Sequence, residues 1–166
     1  MKKQESFVAA IVFIACFEAA LAQVPPDREG LLGGEGMGQA KSAEMNGYPG
    51  PKHILEMAAE LKLTDSQKNS IQMIYDEMKL QAASLGRLIV NKEEQLDETF
   101  SKRSVDSNSV REISEQIGKL RGQLRAVHLV AHLKSKEVLT PEQIKAYKKS
   151  RGIGARHHDA KTGHNH

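Results

Sequence analysis

The sequence has no tryptophan, and only three tyrosines and four phenylalanines among 166 residues. Phe7, Phe13 and Phe17 crowd into the N-terminal apolar run, so the body of the chain keeps Phe100, Tyr48, Tyr75 and Tyr147. Thick globular cores usually draw on more aromatic volume than this. The shortage points to a thin layer of helices whose apolar stripe needs a second subunit to cover it, hence a homodimer. Cysteine is nearly absent too, with Cys16 the single example. If the N-terminal segment is removed, no disulfide framework remains. Thiolate metal ligands and a cysteine nucleophile go with it. A strong charge of one sign is also missing. The formal net charge is +3 with both signs mixed along the chain. That is a weak field for a polyanion, and nucleic acid is not an expected partner.

The N-terminus reads as a targeting segment. Lys2 and Lys3 precede the apolar run "FVAAIVFIACF", and Ala20-Leu21-Ala22 follows in a small-x-small pattern. Residues 1–22 are therefore expected to be a secretory signal peptide, with the remainder in the periplasm. The run is too short for an ordinary membrane anchor. Lipidation at Cys16, in the box "FIAC", is the alternative. Removing two Lys and two Glu with this segment leaves the charge at +3.

Residues 23–50 hold seven Gly and three Pro and read as a flexible arm. Helical periodicity begins at Pro51, with Ile54, Leu55, Met57, Ala58 and Leu61 on one short helix. "LTDSQ" at 63–67 follows, where Thr64 and Gln67 have the spacing of a capping box. The helix it starts repeats apolar residues from Ile71 to Phe100, about nine turns, with Gly86 as a bend or a close approach. Ser109 and Glu112 suggest another box. From Val110 on, Val110, Ile113, Ile117, Leu120, Leu124, Val127 and Ala131 alternate by three and four, a heptad seam. "LTPEQ" at 139–143 then starts a last helix, with Thr140 as cap and Pro141 at its first position. Residues 152–166 form a polar, His-rich tail expected to be disordered.

The paired Leu-Thr-x-x-Gln motifs, the leader, the long helical hairpin and "HLVAHLKSKEVLTPEQ" resemble the Spy/CpxP superfamily of small periplasmic helical proteins. The likeness is greatest to its heavy-metal branch, the zinc-resistance-associated proteins and the CnrX-like cobalt–nickel sensors. The resemblance implies an all-α fold, a hooked four-helix antiparallel hairpin over residues 51–151 that pairs into a dimer. It implies one of two functions. Metal-branch members bind a transition ion and report to, or buffer for, a stress response, with a membrane sensor kinase or an anti-sigma factor as partner. Chaperone members hold unfolded proteins without ATP.

His128 and His132 lie one helical turn apart and can face one ion together. Imidazole suits a divalent transition metal, zinc first, with nickel, cobalt or copper also possible. Two ligands are too few. The resemblance places the others near His53 and Met57, and a glutamate of the sensor pattern near Tyr75, beside Asp76 and Glu77. The bland alternative is a pair of interfacial histidines. In the tail, His157, His158, His164 and His166 are auxiliary candidates. Met57, Met73 and Met78 read as core filler more readily than as copper(I) ligands. Asp76-Glu77 and Glu93-Glu94 read as solvated faces. No nucleophile, base and orienting group stand together, so an enzyme is not expected. Arg111, Lys119, Arg121, Arg125, Lys134 and Lys136 would suit a basic chaperone face or a plain solvated one.

Overall fold

The computed structural model describes residues 25–103 and 105–153. The expected leader, Cys16 and the tail histidines lie outside them. Six helices make up the described chain: α1 (Arg28–Leu32), α2 (Lys41–Met45), α3 (Pro51–Glu56), α4 (Asp65–Ser101), α5 (Ser107–Val138) and α6 (Pro141–Ser150). No strand occurs among the described residues.

The two long helices are an antiparallel hairpin. Cross-helix partners rise along α4 as they fall along α5: Gln67 with Val138, Glu77 with Lys134, Glu93 with Arg121. The expected seam is the packed one, since Ile113, Ile117, Leu124 and Ala131 are buried. On α4 the matching buried stripe is Ile71, Met78, Ala82, Ile89 and Val90. Leu88 and Phe100, expected on that stripe, are instead 51% and 54% exposed.

The end of the hairpin away from the 102–106 turn is tied together by the repeated motif. Thr64 caps α4 and Thr140 caps α6, each accepting from the backbone N–H of its own Gln at the third helical position. The Gln oxygens return the favour, accepting from Thr64 N at 3.1 Å and Thr140 N at 2.9 Å. The two amides also bond each other, Gln67 Nε2 to Gln143 Oε1 at 2.9 Å and Gln143 Nε2 to Gln67 Oε1 at 3.0 Å. Their remaining N–H groups donate to Val138 O and Leu61 O. A primary amide offers two donors and two acceptor sites, and here all are used. Leu63 and Leu139, which lead the motifs, are buried in one cluster with Ile54, Leu61, Ile71 and Tyr147.

Three expectations are corrected. The α5 cap is Asp106, not Ser109. Its carboxylate accepts from Asn108 N at 2.8 Å and Ser109 N at 3.1 Å, while the Ser109 hydroxyl donates to it. A charged acceptor at the positive end of a helix outcompetes a hydroxyl. Second, α3 stops at Glu56 with Met57 as its C-cap, so His53 and Met57 do not share a continuing helical face. Third, the described part of the glycine-rich arm is folded onto the hairpin, adding α1 and α2 to the four expected helices. Leu31 is buried against Ala82, Ile89, Val90 and Leu124. Gly86 is a close approach: a Cβ there would sit 2.0 Å from the Leu31 carbonyl oxygen. Ion pairs pin the arm along its length. Arg121 bridges Asp27 at 2.9 Å and Glu93 at 3.1 Å, Arg28 meets Glu94, and Lys79 meets Glu35 at 2.8 Å. The Arg121 guanidinium holds the Asp27 carboxyl below its usual range.

The double amide predicts a non-additive mutant pair. Gln67→Ala and Gln143→Ala should each cost about 2–3 kcal/mol, because each strands the other amide and a cap. The double variant should be less destabilised than the two losses added, by about 1 kcal/mol or more. Urea unfolding of the four proteins measures this, and simple additivity would contradict the reciprocal pair.

Candidate metal centre

The arm, α3, α4 and α5 border a partly open cavity of about 280 Å³. His128 and His132 enter it from α5, His53 from α3, and Met78 and Lys79 from α4. The glycine-rich stretch from Gly34 to Gly38, with Lys41 and Glu44, forms its outer wall. His128 and His132 are only 2% and 6% exposed. With Ser135 they make a second buried stripe on α5, beside the heptad seam.

Each imidazole is held differently. His132 Nδ1 lies 2.8 Å from the Tyr48 carbonyl, so this nitrogen carries the proton and Nε2 keeps its lone pair. Gly50 makes room for that ring, since a Cβ there would meet His132 Nε2 at 2.7 Å. Lys136 lies 3.7 Å over the Tyr48 ring and so helps fix the carbonyl. His128 Nε2 is buried without a hydrogen-bond partner. His53 Nδ1 is likewise without one, although Glu44 Oε1 stands 3.5 Å away. Buried imidazole nitrogens without partners are unusual in a folded interior.

Burial pushes the His128 pKa down, aided by the neighbouring His132 and Lys79 and opposed by Glu35. Burial also lowers that of His132, opposed by its bond to Tyr48 and the charge of Glu44, with His53 adding to the lowering. Both rings are thus kept in the neutral form, which is the form that binds a metal.

Three of the four sequence candidates therefore border one space. Met57 does not: it packs instead on the cluster around Ile54, Leu61 and Tyr147. Among the described residues, no three His, Cys, Asp or Glu side chains already converge as a cage. The cavity is a ring of donors around a space. Of the wider candidates, Tyr75 lines it while Met73 is exposed. Sequence reasoning missed Glu44 and Glu35. Both lie in the glycine-rich segment, where nothing periodic marks a residue as inward-facing.

Residues 50–151 match the family described as LTXXQ motif family protein, which is most of the chain. The chain belongs to the LTXXQ motif family. This is the Spy/CpxP-type family, whose members are in general periplasmic, stress-related helical proteins. Both LTXXQ motifs and all three cavity histidines lie inside the match, whereas α1, α2 and Glu44 lie before it. Curated proteins and solved structures give no match. Among the described residues, no helix is long and apolar enough to cross a membrane.

The lowered histidines set a pH dependence. A folded-state pKa below the unfolded one means that the unfolded chain binds more protons in the window between them. This contribution is complete above about pH 6.5 and is lost as the pH falls below it toward the folded values. Metal-free protein should therefore unfold at lower urea at pH 5.5 than at pH 7.5. The decline should shrink in the His128→Asn/His132→Asn variant. Equal stability at both pH values would contradict the buried neutral pair.

Proposed function

We propose that the protein is a periplasmic transition-metal-binding accessory protein, not an enzyme, acting as a sensor subunit or buffer in a metal or envelope stress response. The observation that carries this reading is the pair of buried, unpartnered nitrogens, His128 Nε2 and His53 Nδ1, around the cavity that His132 also lines. A divalent cation supplies what such nitrogens lack. Three imidazoles with no thiolate fit zinc, then nickel, cobalt or copper(II). In this reading His53, His128 and His132 hold the ion. Binding would draw α3 toward α5, a movement suited to reporting metal to a membrane sensor kinase or anti-sigma factor. A homodimer, which would cover Leu88 and Phe100, belongs to the same proposal.

One observation favours the second reading, an ATP-independent holding chaperone. The hairpin face away from the arm exposes Leu88 and Val130 beside Lys92, Lys119 and Lys134. The basic character is weaker than the sequence implied, because Arg121 is turned to Asp27 and Glu93 and Lys134 to Glu77.

Calorimetric titration with zinc separates the two readings. It would use the chain with His157, His158, His164 and His166 changed to Ala, so that the tail cannot bind. Micromolar or tighter binding that is lost on adding His128→Ala/His132→Ala is the expected result. No binding to the tail-silenced chain, together with suppression of client aggregation in the absence of metal, would transfer the assignment to the chaperone.

A further inference from the structure

We propose that Glu44, on α2 of the N-terminal arm, is the carboxylate ligand of this centre, and that a bound cation straps the arm to the hairpin. The inference rests on the metal-binding reading above.

The distance between Glu44 and His53 is the first observation. Glu44 Oε1 and His53 Nδ1 are 3.5 Å apart, and the nitrogen makes no hydrogen bond. Tetrahedral zinc with bonds of about 2.0–2.2 Å holds neighbouring ligand atoms roughly 3.3–3.5 Å apart. The pair is therefore spaced as two ligands of one ion, and is too long for a good hydrogen bond.

Charge is the second. Three neutral imidazoles leave the double charge of a divalent ion uncompensated. Lys41, Lys52 and Lys79 line the same cavity and bring positive, not negative, charge to it. Two carboxylates line that wall, Glu35 and Glu44. Glu35 is engaged by Lys79 at 2.8 Å. Glu44 is left to neutralise the ion.

The third is how α2 is attached. None of its five residues is buried. The arm is pinned on either side of it, by the Glu35–Lys79 pair before and by Tyr48 to His132 after. A short unburied helix between two pins can shift without unpacking a core. Coordination by Glu44 would couple it to His53 on α3 and to His132 on α5. Because Tyr48 O orients His132, the arm would serve the centre twice, once by a ligand and once by aiming one.

The test is hydrogen exchange by mass spectrometry, with and without zinc, on the tail-silenced chain and its Glu44→Gln, Glu56→Gln and His128→Ala/His132→Ala versions. Zinc should slow exchange of residues 40–48 and 126–134 in the parent and in Glu56→Gln, which carries the same charge change outside the cavity. In Glu44→Gln the protection of 126–134 should persist while that of 40–48 disappears. Zinc affinity should drop about tenfold or more. If Glu44→Gln binds and protects like the parent, Glu44 is not a ligand, although the histidine site stands. Equal weakening by Glu56→Gln would reduce Glu44 to a distant charge and overturn the proposal. No zinc protection at 126–134 in the parent would overturn the metal reading and this inference together.

Discussion

The reciprocal amide pair of Gln67 and Gln143 is the constraint on which the rest of the molecule depends. Each Gln closes its own capping box and also bonds the other, so the starts of α4 and α6 are joined at one point. Leu61 O and Val138 O, the carbonyls just before the two motifs, are tied in by the same amides. That fixes the chain leaving α3 against the chain leaving α5. The cluster of Ile54, Leu61, Leu63, Ile71, Leu139 and Tyr147 fills the space around this knot. His53 is thereby carried to the level of His132, half the chain away in sequence. A thin two-helix layer with few aromatics has little packing energy to position a site, and a satisfied polar network supplies the missing specificity.

The arm completes what the hairpin begins. Buried histidines on one face of α5 would meet water if that face were open. Leu31 in its pocket at Gly86, the Asp27–Arg121 pair and the Tyr48 carbonyl together place a glycine-rich wall over them. The glycines have a physical task here. Gly34 at φ +63° takes a left-handed turn within 2.8 Å, measured from its would-be Cβ, of the Lys79 carbonyl. The result keeps two imidazoles neutral and leaves two nitrogens without partners. These are the properties on which the metal-binding proposal rests.

Much of this was legible in the sequence because it is written in local patterns. The two Leu-Thr-x-x-Gln motifs announce helix starts through the reach of a Gln side chain to its own cap. The alternation from Val110 to Ala131 announces the hairpin seam. The i, i+4 spacing of His128 and His132 announces a shared direction. What was missed depends on contacts between distant segments. No local rule says that Leu31 docks at Gly86, so composition alone makes residues 23–50 a flexible arm and gives Glu44 no inward direction. The place of Met57 also depends on such contacts: it caps α3 and packs on the apolar cluster, not on the cavity. Ser109 has the spacing of a capping box, yet Asp106 offers the stronger acceptor three residues earlier.

X-ray absorption at the zinc edge of the loaded, tail-silenced chain tests the central claim most directly. The account predicts a first shell of nitrogen and oxygen only, near 2.0–2.1 Å, with outer-shell scattering from about three imidazoles. A shell with sulfur, or one of oxygen without imidazole scattering, would contradict a centre built from His53, His128 and His132.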